Sequence, residues 1–142
     1  MTNVPVLIPR FQGHKILIPD GWPKPSGYSN AIVASGRILV LSGQIGWNEA
    51  GVIATGITAQ VKQALLNIAR LLAEADSGPE ALVRLSWYVR DMDEYATHLR
   101  DIGAAYRSVM GYFYPAMTLL QVGRLVEPDA RVEIDGMAVL PG

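Results

Sequence analysis

Cysteine is absent from this chain of 142 residues, and histidine occurs only twice. The missing thiols exclude disulfide bridges, thiolate nucleophiles and cysteine-ligated zinc. His14 and His98 stand in no spacing, to each other or to carboxylates, that is typical of a metal-binding motif. Glycine-rich phosphate loops are lacking, and Ser42 has no Gly-x-Ser-x-Gly context that would mark it as a nucleophile. We therefore expect neither a metal ion nor a cofactor.

A strong charge of either sign is also missing. The chain has 12 basic and 13 acidic residues, and no run of lysine or arginine stands out. Because nucleic-acid binders normally carry a basic patch, this composition argues against a nucleic-acid partner. No apolar run approaches the ~20 residues that a membrane-spanning helix needs, and the first residues lack the regions of a signal peptide. We expect a cytoplasmic protein with no membrane partner.

The chain does contain enough apolar sequence for one folded domain. Half of its residues are hydrophobic, and its length is typical of a single domain. Residues 1–27 carry five of the nine prolines, which fix φ and remove a backbone donor. We expect a Pro/Gly-rich N-terminal segment over residues 1–27, mostly irregular with a short strand near 15–18, and one domain over residues 28–142.

Alternation and helical spacing predict an α+β fold in the order β-β-α-β-α-β-β, with one mixed sheet backed by two helices. Ser35-Gly36 between two apolar runs predicts a β-hairpin. Thr58 is a candidate N-cap for the first helix, and Asp91 or Asp93 for the second. The predicted strands lie at 31–34, 38–42, 82–89, 117–122 and 131–140, and the helices end near residues 75 and 110.

One strand predicts that the chain associates with other copies. All four residues of 38–41 are hydrophobic, so this strand needs cover on both faces of its sheet. Two helices, each ~10 Å wide, cover only one face, and a large apolar face is not normally left in water. We expect self-association through the open face, with folding of residues 1–27 over it as the alternative. Depending on register, that face carries Met117, Leu119, Tyr88 or Trp87, Met137 and Val139.

Several short motifs follow one another along the domain. They are Gly27-Tyr28-Ser29, Val40-Leu41-Ser42-Gly43-Gln44-Ile45, Gln60 with residues 63–68, Val89-Arg90-Asp91-Met92, Tyr114-Pro115-Ala116 and Val132-Glu133-Ile134-Asp135. In this order and spacing they resemble the Rid/YjgF family of small imine and enamine deaminases. The resemblance implies a chorismate-mutase-like fold, a homotrimer around a central barrel, and small-molecule ligand sites at the subunit interfaces.

The resemblance also implies a set of substrate-binding residues. Tyr28, the strand end Ser42-Gly43-Gln44 and Glu133 match the family's site. In the well-studied deaminases, an arginine that grips the substrate carboxylate follows the Pro-Ala pair, and a small residue or cysteine lies two positions later. This chain has Met117 and Leu119 at those positions. The departures are concentrated where a carboxylate would dock.

Glu133 is the candidate catalytic residue. Hydrolysis of an imine needs water at the polarised carbon and a proton for the leaving nitrogen, and one carboxyl group can serve both steps. The alternative is a surface ion pair with Arg131, because alternation places both side chains on one face of the last strand. The residues alone leave both interpretations open.

Methionine at position 117 predicts an unusual ligand. Each charge-assisted hydrogen bond from an arginine to a carboxylate contributes roughly 1.5–3 kcal/mol, whereas methionine offers a flexible apolar surface. We therefore expect a larger or more apolar ligand, with Trp47 as one wall unless it packs on the hairpin. Arg84 and Arg124 are candidate substitutes for the missing cation, and a structural role is the alternative for Arg124.

Two functions follow as hypotheses. The first is an enzyme that hydrolyses an enamine or imine, releasing ammonia from a substrate larger or more apolar than short 2-imino acids. The second is a non-catalytic trimer that binds a small metabolite in the same cleft. RNA cleavage, which has also been attached to the family, is disfavoured by the near-neutral charge and the missing arginine.

Overall fold

The structure is a computed structural model that describes residues 14–142. Residues 1–13 of the predicted N-terminal segment lie outside the described residues. The alternative in which residues 1–27 fold over the sheet therefore falls partly on residues that are not described. The strands are β1 Lys15–Leu17, β2 Ala31–Val33, β3 Arg37–Gln44, β4 Leu82–Val89, β5 Ala116–Gln121 and β6 Val132–Leu140. The α-helices are α1 Ile57–Glu74, α2 Met92–Thr97 and α3 Leu99–Met110.

A four-stranded mixed sheet forms the centre of the fold, with the order β3-β6-β4-β5. β6 runs antiparallel to β3 and β4, and β4 runs parallel to β5. The predicted α+β class and mixed sheet are therefore confirmed. The last strand of the chain lies in the interior of the sheet, which leaves β3 and β5 as its two edges.

The predicted hairpin between the first two apolar runs is wrong. β2 pairs with β1 in a separate two-stranded sheet, whereas β3 pairs with β6. Gly36 has a φ of 145° and approaches β6 so closely that a Cβ there would clash with the carbonyl oxygen of Leu140. The chain at Ser35-Gly36 therefore passes from one sheet to the other and does not turn back on itself.

The helix starts were predicted with mixed success. Thr58 does not cap α1, which begins at Ile57 behind Gly56, a residue with a φ of 88° and no side-chain cap. The Thr58 hydroxyl is buried and has no partner within residues 14–142. Asp91 caps α2, because its carboxylate accepts hydrogen bonds from the backbone N–H groups of Asp93 at 2.9 Å and Glu94 at 3.2 Å.

The predicted second helix is broken into α2 and α3 at His98. Its ring Nδ1 lies 2.9 Å from the Glu94 carbonyl oxygen, and its backbone N–H is shared between the carbonyls of Glu94 and Tyr95. Such side-chain contacts compete with the regular helical ladder. The apolar face continues across the break, because Tyr95 of α2 and Ile102 of α3 still face one cavity.

The helices cover one face of the sheet and leave the other open. Leu85 and Trp87 of β4 belong to the core under the helices, and β5 places Met117 and Leu119 against the same core. The other face, here called the open sheet face, carries residues of all four strands: Ile38, Val40, Arg84, Ser86, Tyr88, Thr118, Leu120, Glu133, Asp135 and Met137. Ile38 and Val40 are 66% and 70% exposed, so the β3 end of this face is an uncovered apolar surface, as expected. Tyr88, Met137 and Val139 lie on this face as expected, but Met117 and Leu119 do not, because their register with Leu85 and Trp87 turns them towards the helices.

Candidate functional site

A cavity of about 720 Å³ lies between α2, α3 and the β5 edge of the sheet. Its volume is typical of small-molecule sites. We call it the helix-side cavity, and its lining comprises Ser26, Gly27, Tyr28, Trp87, Tyr95, Leu99, Arg100, Ile102, Gly103, Tyr106, Arg107, Tyr114, Met117 and Leu119. Of the predicted site residues, it brings together Tyr28, Met117 and Leu119.

Strand register explains why Met117 and Leu119 line this cavity. β5 pairs in parallel with β4, so that Met117 lies beside Leu85 and Leu119 beside Trp87. Paired residues share a face of the sheet, and this face is the one under the helices. Because β5 is an edge strand, both side chains are only half-buried. The position of the missing arginine therefore lies in a cavity wall and not in the sealed core.

Tyr28 is held beside the start of β5 by its neighbour Ser29. The Ser29 backbone N–H donates to the Pro115 carbonyl at 3.1 Å, and its hydroxyl donates to the carbonyl of Tyr114. Tyr28 remains 43% exposed. It also lines a second cavity of about 500 Å³ next to β1, so it stands between the two spaces.

Aromatic rings form the inner wall of the helix-side cavity. Tyr106 stacks on Tyr114 with ring centroids 5.2 Å apart, and Trp87 lies 6.4 Å from Tyr106 at a tilt of 34°. Burial, with a further contribution from Tyr114, raises the pKa of Tyr106, and burial raises the pKa of Tyr95. Both phenols therefore stay neutral near pH 7, and the wall offers ring surface to a ligand, not phenolate charge.

The remaining family-matched residues meet at the other edge of the sheet. Ser42, Gly43, Gln44 and Glu133 form what we call the sheet-edge cluster, at a register shift between β3 and β6. A Cβ at Gly43 would clash with the carboxylate of Glu133, so that carboxylate occupies the space directly over Gly43. The Gln44 side-chain amide donates to the Ser42 carbonyl at 3.3 Å. The structure thus brings the predicted catalytic carboxylate into contact with the Ser-Gly-Gln element.

Glu133 does not form the surface ion pair that its strand position allowed. Arg131 pairs with Glu94 of α2 at 2.9 Å instead. Across the ladder, Glu133 lies opposite Tyr88 of β4. The Tyr88 hydroxyl hydrogen-bonds to Asp135, whose negative charge adds to that effect and raises the pKa of Tyr88. The carboxylate of Glu133 is therefore free of an arginine partner within the described chain.

The other three predicted residues lie away from the helix-side cavity. Trp47 sits in the turn after β3, where it bridges to Ile53 and its carbonyl accepts a hydrogen bond from Asn67 at 3.0 Å. Arg84 lies on the open sheet face and donates to Thr118 at 2.9 Å. Arg124 is exposed in the loop between β5 and β6. None of these side chains lines the cavity that contains Met117.

Sequence reasoning missed two cationic residues of this cavity. Arg100 and Arg107 of α3 line it, although they stand at exposed positions. The only signal in the sequence is their place directly after Leu99 and Tyr106, two of the apolar residues whose spacing of three and four predicts the inward face of this helix. A charged residue beside an apolar stripe is normally solvated, so the pattern alone did not distinguish them.

Within one chain the two groups of candidate residues lie apart. Met117 and Leu119 are on edge strand β5, and Glu133 is on β6, with β4 between them. Two strand spacings amount to about 10 Å, and the side chains point to opposite faces of the sheet. The predicted site is therefore divided between the two edges of the sheet.

Residues 14–142 contain neither a candidate metal centre nor a candidate membrane-spanning helix. No three side chains of the types that bind metals come close enough together to hold an ion. No helix of this part of the chain is long and apolar enough to cross a membrane.

Known proteins match this chain over the residues of both the helix-side cavity and the sheet-edge cluster. The profile of the family described as endoribonuclease L-PSP matches residues 23–140. A RutC family protein of Synechocystis is 32% identical over 135 aligned positions, covering 89% of this chain and 97% of the relative. A 2-iminobutanoate/2-iminopropanoate deaminase of Salmonella typhimurium is 28% identical over 108 positions, 73% of this chain and 80% of that enzyme. The solved structure of YyfB from Yersinia pestis, a Rid family protein of unknown function, has a TM-score of 0.76 at 31% identity, covering 91% of this chain and 100% of that one.

Proposed function

This chain belongs to the Rid/YjgF family, and from that premise we propose that it is an imine or enamine hydrolase that releases ammonia. The relative from Salmonella typhimurium is named a deaminase of two short 2-imino acids. We propose the same class of reaction on a larger or more apolar substrate. Met117 and Leu119 support this preference, because they give the helix-side cavity an apolar wall where an arginine would bind a short imino acid.

The observation that carries the proposal is that the sheet-edge cluster and the helix-side cavity lie at opposite edges of the sheet. β3 and β5 are the ends of the four-stranded order. In a closed ring of copies, the β3 edge of one subunit faces the β5 edge of the next. The sheet-edge cluster of one subunit then meets the helix-side cavity of its neighbour. The same ring encloses the open sheet face, which removes Ile38 and Val40 from water. We propose a homotrimer of this kind.

In the proposed reaction the apolar part of the substrate occupies the helix-side cavity, and its C=N group reaches the neighbouring Glu133. The Glu133 carboxylate takes a proton from water as the oxygen attacks the imine carbon. The resulting carboxylic acid then gives that proton to the nitrogen, which forms a carbinolamine. Glu133 next transfers the hydroxyl proton of the carbinolamine to the nitrogen as the C–N bond breaks, giving a carbonyl compound and ammonia. Ser42 and Gln44 are polar groups next to this point and provide hydrogen bonds to water or substrate.

Complementation between subunits tests this arrangement directly. Glu133→Gln removes the acid–base group, and Met117→Trp fills part of the cavity. Each variant alone should be inactive in ammonia release from freshly generated imines. When the two variants are mixed equally and co-assemble at random, roughly a quarter of the interfaces combine an intact Glu133 from one subunit with an intact Met117 from the next. The mixed oligomers should therefore recover roughly a quarter of wild-type activity. Mixed oligomers no more active than the single variants would contradict a site shared between subunits.

A non-catalytic metabolite-binding trimer is the second candidate, and the apolar residues at 117 and 119 favour it. A binder would be stabilised in thermal-shift screening by a ligand that is afterwards recovered unchanged. The hydrolase instead converts its ligand, and Glu133→Gln preserves binding while it removes conversion. Full activity in Glu133→Gln would exclude Glu133 from the mechanism.

A further inference from the structure

Two guanidinium groups stand at the helix-side cavity without a counter-charge. Arg100 and Arg107 lie two turns apart on α3, so their side chains share one side of the helix. Both residues line the cavity, and both are exposed, which places them at its mouth. Within residues 14–142, neither side chain forms an ion pair or a hydrogen bond. Two unpaired cations beside an apolar cavity favour an anionic ligand.

Gly103 allows one of these cations to lie along the rim of the cavity. It stands between the two arginines on α3 and is itself part of the cavity lining. A Cβ at Gly103 would lie only 3.3 Å from Nη1 of Arg107. The guanidinium of Arg107 is therefore folded against the helix backbone at the cavity.

Inside the same cavity, Trp87 and Tyr106 offer a ligand ring surface and no free hydrogen-bond donor. The indole nitrogen of Trp87 has no partner in the described part of the chain, but this atom is fully buried and does not face the open space. The Tyr106 hydroxyl donates to the carbonyl of Phe113. Polar recognition of a ligand therefore falls to the two arginines at the mouth of the cavity.

We infer that the helix-side cavity binds an aryl-bearing carboxylate, with Arg100 and Arg107 taking the place of the cation that Met117 lacks. The ring of the ligand packs among Tyr95, Tyr106 and Met117, and its carboxylate lies between the two guanidinium groups. This inference rests on the proposed function only for the C=N group, and it names the substrate class as 2-imino acids with an aromatic side chain.

Binding of the corresponding 2-oxo acid, phenylpyruvate, tests the inference without turnover. Isothermal titration should show that Arg100→Gln and Arg107→Gln each weaken binding about 10-fold and that the double variant weakens it about 100-fold. Arg70→Gln is the matched control, because Arg70 is an exposed arginine of α1 that does not line the cavity. It should leave the affinity unchanged.

Phenylacetone has the same ring and ketone but no carboxylate, and should bind more weakly and be insensitive to both arginine changes. Equal affinity for phenylacetone and phenylpyruvate, or an unchanged double variant, would overturn the inference. Binding that survives Met117→Trp would also overturn it, since the ligand would then lie elsewhere. Glu133→Gln should keep its affinity for phenylpyruvate. If that variant also kept full turnover, the proposed mechanism would fail and the binding site would stand.

Discussion

The helix-side cavity and the sheet-edge cluster are built in different ways. Side chains from α2, α3, β4 and β5 form the cavity, and most of them are aromatic or aliphatic. The cluster depends on backbone geometry, namely the register shift of β3 and the absence of a side chain at Gly43. A side-chain wall can change its chemistry while the fold stays intact, as Met117 and Leu119 illustrate. A backbone-defined site has no such freedom, so we expect the cluster to respond more sharply to small substitutions.

Gly43→Ala tests the sheet-edge cluster and should have the largest effect of the substitutions that distinguish it from the helix-side cavity. The new methyl group meets the Glu133 carboxylate, which has to move away from its place over the strand. Displacing a catalytic group by about 1 Å costs on the order of 100-fold in rate. We expect kcat for ammonia release to fall at least about 100-fold, while the affinity for a cavity ligand stays within a factor of about two.

Gly123→Ala is the control for that substitution, because a Cβ there meets nothing within 4 Å. It should match wild type in both measurements. A Gly43→Ala variant with wild-type kcat would mean that the position of Glu133 over Gly43 has no role in turnover.

Gln60→Leu should have the next largest effect, on stability. Gln60 is buried, and its amide donates to the carbonyls of Ala54 at 3.0 Å and Asp129 at 3.1 Å and accepts from the Arg131 N–H at 2.7 Å. It therefore ties α1 to the start of β6, two residues before Glu133. Loss of these bonds leaves backbone groups unpaired, and we expect the free energy of unfolding in urea to fall by about 2–3 kcal/mol.

Gln63→Leu provides the matched comparison on the same helix. Among residues 14–142, Gln63 forms a side-chain hydrogen bond only to Asn67, at 3.0 Å. Its replacement should cost less than about 1 kcal/mol. Equal losses in the two variants would show that the backbone ties of Gln60 contribute little.

Met117→Arg should have a smaller effect, confined to the helix-side cavity. An arginine at this position restores the carboxylate-binding group of the short 2-imino acid deaminases. We expect weak or no wild-type activity on 2-iminobutanoate and about a 10-fold gain in kcat/KM in the variant. Robust wild-type turnover of that substrate would contradict the role proposed for Met117. Activity on apolar imines should fall, because the cation would occupy part of the apolar wall.

Local patterns in the sequence predicted most of the secondary structure. β4 spans the predicted residues because Leu85, Trp87 and Val89 alternate with more polar residues along the sequence, although its burial is less regular than this alternation. The failures involve contacts between distant segments. Gly36 was predicted as a hairpin turn because its close approach to Leu140 cannot be seen in the sequence. The helix break at His98 depends on a contact with Glu94, and hydrophobic periodicity carries no information about that contact.

The candidate site was predictable as a list of residues but not as an arrangement. Glu133 and Gly43 were both singled out, yet their contact depends on the register shift between β3 and β6. The separation of Met117 from Glu133 follows from the strand order, which places β4 between their strands. Arg107 was missed because its position on the helix is exposed, and only the tertiary fold brings the cavity to it.

Ionisation of two tyrosines should have the smallest effect, on the free energy of unfolding at alkaline pH. It compares the wall of the helix-side cavity with the open sheet face. Burial, with Tyr114 nearby, raises the pKa of Tyr106 in the cavity wall, whereas the hydrogen bond to Asp135 is the first cause that raises the pKa of Tyr88 on the open sheet face. A phenol with a raised pKa keeps its proton in the folded chain where the unfolded chain, with its ordinary pKa of about 10, loses it. The stabilisation is therefore complete below pH 10 and declines as the pH rises towards the folded-state pKa.

We accordingly expect the free energy of unfolding to fall with pH above about 10 and Tyr106→Phe to flatten most of that slope. At pH 7 the same variant should lose about 1 kcal/mol, because the Phe113 carbonyl loses its donor. Tyr88→Phe should flatten the slope less, since Tyr88 is far less buried within its own subunit and burial is the largest cause only at Tyr106. Urea unfolding at several alkaline pH values measures both slopes. A larger change in Tyr88→Phe than in Tyr106→Phe would mean that the open sheet face, and not the aromatic cavity wall, dominates the alkaline response, because desolvation would then be the weaker of the two causes.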